Sequence, residues 1–104
     1  MLENSIWRQY NGENNFRQMI ARWSKLEIEN LIEDDKALYG VLKAKLTKKE
    51  LKLFSMDSAQ LDDNEIKTAF TYSDDELEKA KYKLYKKLKQ DKVRLDFRAS
   101  GISE

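Results

Sequence analysis

Lys79, Lys81, Lys83, Lys86, Lys87 and Lys89 put six ammonium groups into eleven residues. Cations at that density suit phosphates, the contact that supplies most sequence-independent affinity for nucleic acid. Spaced around Leu84 and Leu88 at helical intervals, they must occupy much of the polar face of one helix. The run is the basic half of a segregated charge pattern. Residues 57–78 carry Asp57, Asp62, Asp63, Glu65, Asp74, Asp75, Glu76 and Glu78 against Lys67 alone. Residues 79–94 carry the six lysines with Lys92 and Arg94 against Asp91 alone. Acids in the first turn of a helix and bases in its last turn also complement the helix dipole, so the plainer reading of the same run is a solvated, dipole-matched helix.

Most other chemistry is closed to the chain. Cys and His are absent. With them go disulfides, thiolate and imidazole catalysis, and the usual zinc and haem ligand sets. Asp62 and Asp63 with Glu65, or Asp74 and Asp75 with Glu78, offer oxygen ligands of the kind Mg²⁺ accepts. Helix capping accounts for the same acids, and there is no Gly-containing calcium loop. No enzyme activity, cofactor or metal is therefore expected. Trp7, Tyr10, Phe16 and Trp23 could stack on single-stranded bases, although at helical spacing they read first as core.

These side chains need a scaffold, and the composition points to helices. The 104 residues weigh 12.3 kDa and contain no Pro and three Gly, with 40% hydrophobic and 11% aromatic residues. A chain of that mass buries about 65% of its unfolded surface, enough for one core and one domain. The 20 Lys and Arg nearly balance 19 Asp and Glu, which excludes a uniformly basic binder but not local patches. No stretch approaches the roughly 18 apolar residues of a membrane span, and the first ten residues lack a signal-like apolar run. A cytoplasmic protein without membrane contact is expected.

Along the chain, an arm with Trp7 and Tyr10 ends at Asn11-Gly12. Phe16, Met19, Ile20, Trp23, Leu26, Leu31 and Ile32 predict one long helix opened by Asn15 and Gln18. Ala37, Leu38, Val41, Leu42 and Leu46 predict a second over 36–45, weakened by Gly40. Thr47-Lys48-Lys49-Glu50 and Ser73-Asp74-Asp75-Glu76 are capping boxes that mark two further helix starts. Between them, Asp62 or Asp63 caps a short helix carrying Ile66, Ala69 and Phe70, and Thr71-Tyr72 forms a turn. The alternation Val93-Arg94-Leu95-Asp96-Phe97-Arg98 reads as an extended segment, and residues 99–104 as a frayed tail.

Leu46-Thr47-Lys48-Lys49-Glu50, the stretch Asn64 to Ser73, and Tyr82-Lys83-Leu84-Tyr85-Lys86-Lys87-Leu88-Lys89 together resemble the C-terminal promoter-reading domain of bacterial sigma factors. The likeness to LuxR-type regulators is looser. It covers residues 46–89 and implies a helix-turn-helix that binds DNA in transcription. Two positions depart from the family: Lys67 stands where it has a small residue, and Asp74, Asp75 and Glu76 stand where it has basic or polar base readers.

The resulting expectation is an all-α bundle of four to five helices forming a single domain over 1–104. Residues 1–45 are its arm and long helices, 46–90 its helix-turn-helix region and 91–104 an extended tail. Lys48, Lys49, Lys79, Lys83, Lys86, Lys87 and Lys89 are the expected contacts to duplex DNA. The alternative is a protein-interaction module that has lost DNA binding, with the helix from Phe16 to Ile32 gripping a partner or a second copy.

Overall fold

A computed structural model describes residues 5–13 and 15–99. Among these residues the chain forms seven α-helices: α1 (Ile6–Tyr10), α2 (Phe16–Ser24), α3 (Asp35–Lys45), α4 (Lys48–Ser58), α5 (Asp63–Phe70), α6 (Asp74–Lys89) and α7 (Asp91–Arg94). The all-α class holds, with more and shorter helices than the four to five expected. None is long and apolar enough to cross a membrane.

The two capping boxes form as their spacing requires. Thr47 Oγ1 accepts from the Glu50 amide at 3.1 Å while Glu50 Oε1 accepts from the Thr47 amide at 2.9 Å. Ser73 and Glu76 repeat the exchange at 3.2 and 2.8 Å. Each box satisfies two backbone donors that a helix start otherwise leaves free. Asp34 caps α3 by accepting from the Ala37 amide at 2.9 Å. α5 ends where Thr71 takes the left-handed conformation (φ 59°), and the turn Thr71-Tyr72-Ser73 leads directly into α6.

The aromatic arm belongs to the core. Trp7 is fully buried between Phe16 and Phe54, with ring centroids at 5.6 and 5.7 Å, and Phe16 meets Tyr39 at 5.3 Å. Asn11 clamps the arm to α4, its Nδ2 donating to the Trp7 and Ser55 carbonyls at 3.2 and 3.1 Å. Ile66, Leu77, Leu84 and Leu88 join the same core, and Phe70 packs against it.

Three expectations are corrected. The long helix over 16–32 breaks after Ser24, where Lys25 turns left-handed (φ 61°), and a 3₁₀ turn at Ile28–Asn30 follows. Arg94 stabilises that break, its Nε donating to the Ser24 carbonyl at 2.7 Å and its Nη2 to the Lys25 carbonyl at 3.3 Å. Asn15 opens α2 through its backbone carbonyl, without a side-chain cap.

The segment 91–98 is not an extended tail but α7 followed by a 3₁₀ turn at Leu95–Phe97. Val93 and Phe97 are buried while Leu95, between them, is exposed. The operative spacing is therefore four, a helical interval, rather than two. Among the described residues, extended pairing is confined to one antiparallel bridge, Leu31 with Arg98, flanked by Ile32 N to Phe97 O at 3.0 Å and Ala99 N to Asn30 O at 2.9 Å. The expected fraying at 100–104 and the first four residues of the arm lie outside the described residues.

Replacing Thr47 or Ser73 by Ala removes a cap and is expected to cost about 0.5–2 kcal/mol in urea unfolding. Phe54→Ala, which opens a cavity beneath Trp7, is expected to cost about 3–5 kcal/mol.

Candidate nucleic-acid interface

α6 runs for 16 residues, about 24 Å at the helical rise, and seats Leu77, Leu84 and Leu88 in the core. The lysines divide according to their distance around the helix from that buried stripe. Lys79, Lys83 and Lys86 project on the opposite side and are exposed. Their i, i+4, i+7 spacing puts them on one face, and neither Lys79 nor Lys83 has an ion-pair partner among the described residues.

The flanking lysines are engaged. Lys87 Nζ donates to Glu50 Oε1 at 2.7 Å and joins α6 to the first turn of α4. The Lys87 ammonium, expected as a phosphate contact, is thus engaged as a strut by a mostly buried carboxylate. Lys81 lies between Asp63 at 3.0 Å and Asp57 at 3.3 Å. Burial alone would lower the Lys81 pKa, but the hydrogen bonds and charges of the two carboxylates outweigh it and hold the ammonium above the usual lysine range.

Lys48 and Lys49 lie exposed in the first turn of α4. Lys49 and Lys83 line one shallow concavity of about 190 Å³, floored by Leu53, Tyr72 and Ala80. Cations from two elements thus meet on a single surface. Lys48 takes no part in lining it.

The acids at the start of α6 are partly committed within the chain. Lys67 and Asp74 form a salt bridge. The hydrogen bond from Lys67 holds the Asp74 carboxyl below its ordinary value, and Asp74 in turn raises Lys67. Glu76 is engaged by the Ser73 amide. Asp75 and Glu78 stay exposed. Among the described residues no group of three or more Asp and Glu converges as a metal site would require.

A second concavity, of about 560 Å³, lies between α2 and α6. On one wall Trp23 stacks on Tyr85 with centroids 3.9 Å apart and planes at 24°. Tyr85 donates its hydroxyl proton to Asp57, and burial together with that bond pushes its pKa well up. Tyr82 stands free at 67% exposure, with Lys86 Nζ 5.6 Å from its ring centroid, and Lys89 Nζ lies 5.8 Å from that of Trp23. Lys89, expected as a phosphate contact, therefore faces this cleft. Of the four aromatics considered for base stacking, Trp7 and Phe16 are core, Tyr10 is half-buried, and Trp23 lines this cleft. Sequence reasoning counted Tyr82 within the stretch from Tyr82 to Lys89 and missed it as a surface aromatic. Its signal was position: Tyr82 falls among the outward lysines, two residues before Leu84.

Of the stripe assigned to a partner or second copy, Phe16, Ile20 and Leu31 are buried in the chain's own core, whereas Met19, Trp23, Leu26 and Ile32 are partly buried. Comparison with protein-family models, curated proteins and solved structures finds no match to this chain.

The Glu50–Lys87 strut sets a pH dependence. Burial raises the Glu50 pKa, but the hydrogen bonds from Lys87 and Thr47 and the attraction of the Lys87 charge outweigh it, leaving the carboxyl below 4.5. A folded-state value below the unfolded one stabilises the fold above the unfolded pKa, and this contribution is lost as pH falls through the folded value. Glu50→Gln is expected to be less stable than the parent at neutral pH in urea titrations. The gap should close progressively as the pH drops below 4.5.

Proposed function

We propose that residues 46–89 bind duplex DNA through its phosphates, as a helix-turn-helix unit of the kind that serves transcription in sigma-like domains. The observation that carries this reading is the meeting of Lys49 from α4 with Lys83 from α6 in one concavity, continued along α6 by Lys79 and Lys86. Lys79 to Lys86 covers about 10 Å of helix axis, a length suited to successive phosphates along a groove edge. Lys48 extends the same positive margin at the start of α4.

The reading is one of position rather than sequence. In helix-turn-helix proteins the N-terminal residues of the recognition helix meet the base edges. Here Asp74 is held by Lys67 and Glu76 by the capping box, so neither is available to read a base. The commitment of these two acids also lowers the repulsion that a DNA backbone would meet at this end. Asp75 remains there as an exposed carboxylate without an ion-pair partner among the described residues.

Lys83→Ala with Lys86→Ala should weaken duplex binding uniformly across sequences and flatten the dependence of log affinity on log salt by up to about 2 units. Asp75→Asn should strengthen the same binding in a fluorescence-anisotropy titration. If instead the dipolar surface of α6 serves a basic protein partner, Asp75→Asn weakens that complex. Duplex affinity unmeasurable at low salt, in the parent and in Asp75→Asn alike, overturns the DNA reading.

A further inference from the structure

We infer that the cleft between α2 and α6 takes an unpaired nucleobase, stacked on Tyr82 with the adjoining phosphates on Lys86 and Lys89, so that the protein binds single-stranded nucleic acid. Among the large hydrophobic side chains described as exposed, Tyr82 stands far above the rest, at 67% against 37% for Ile28 and Leu95. A ring so exposed in the lining of a cleft leaves π-surface open to solvent beside the Lys86 ammonium. The stacked pair Trp23 and Tyr85 lines the same cleft, and it is fixed, because the Tyr85 hydroxyl is tied to Asp57.

The charge pattern selects the occupant. Lys81 is neutralised by Asp57 and Asp63, whereas Lys86 and Lys89 have no ion-pair partner among the described residues and sit over the rings of Tyr82 and Trp23. A ligand that matches must offer a planar ring flanked on both sides by anions. A single strand repeats that unit at every nucleotide, and stacking platforms beside a cationic track are how such strands are held without sequence preference. A duplex presents base edges and keeps its base faces stacked, so it cannot fill this cleft. Volume agrees: 560 Å³ lies within the range of about 300–1,000 Å³ typical of pockets for small planar ligands.

The inference goes beyond the duplex reading, because it uses the aromatic side of α6; Lys86 is common to both surfaces, whereas Tyr82 and Lys89 belong to this one. Labelled oligothymidine is titrated against the full chain, with anisotropy and tryptophan emission followed together. Saturable binding that quenches Trp23 is expected. Tyr82→Ala, which keeps every lysine, should lower oligothymidine affinity about tenfold, the loss of one base–aromatic stack, and leave duplex affinity unchanged. Tyr82→Phe should keep the parent affinity, and circular dichroism checks that both variants fold. Oligothymidine affinity unmoved by Tyr82→Ala, or equal to that of inorganic polyphosphate of matched charge, would falsify the stacking site. Loss of duplex binding with single-strand binding retained would instead remove the reading of the α4–α6 margin and leave this one standing.

Discussion

The burial of α4 on more than one side is the constraint on which the other helices depend. Leu51, Leu53, Phe54, Ser55 and Met56 are all buried, a set too dense for a single helical stripe. A helix apolar around most of its circumference must be surrounded, and α4 is in contact with α1, α2, α3, α5 and α6. The buried Ser55 hydroxyl donates to the Leu51 carbonyl at 2.9 Å, whereas the buried Ser58 Oγ at the end of the helix finds no partner among the described residues. The Ser55 carbonyl, which accepts the Ala59 amide, also receives Asn11 from the arm. The arm is therefore held to the core by a hydrogen bond to the central helix as well as by the Trp7 ring.

Glu50 links this packing to local helix formation. The same carboxylate oxygen accepts from the Thr47 amide within the capping box and from Lys87 on α6. A residue chosen for local reasons, the third position after a Thr cap, thereby fixes how the first turn of α4 meets the last turns of α6. Local and tertiary preferences agree at this point, as a funnelled landscape requires.

What could be read in advance follows the range of the forces involved. The boxes at Thr47 and Ser73 and the Thr71-Tyr72 turn depend on residues within a few positions of one another, and the pattern of types is sufficient to state them. The end of α2 depends on Arg94, some seventy residues away, and nothing near Lys25 announces it. The apolar positions from Phe16 to Ile32 look continuous because Leu31 is buried from a different element, paired beside Arg98. Val93 and Phe97 misled for the opposite reason. Two periods, two and four, share those positions, and only the exposure of Leu95 separates them. At the candidate site the lysine run was visible, but its division was not. Composition does not distinguish Lys87, facing Glu50, from Lys86, facing water.

That division is also what lets one helix serve both stability and binding. The half-buried pairs, Lys87 with Glu50 and Lys81 with Asp57, lie at the flanks of the apolar stripe, where solvent screening is weaker. Lys79, Lys83 and Lys86 face solvent and contribute little to holding the fold, so their charge is available to a ligand without loss of structure. Lys67 and Asp74 likewise neutralise one another across the turn between α5 and α6. The acidic end of α6 therefore presents less negative field than its residue count implies, while the basic end keeps its outward charges. The surface that results is more positive along α6 than a net charge of +1 for the whole chain suggests. Attraction to a polyanion is then decided by which side chains are already paired, rather than by how many of each sign the chain contains.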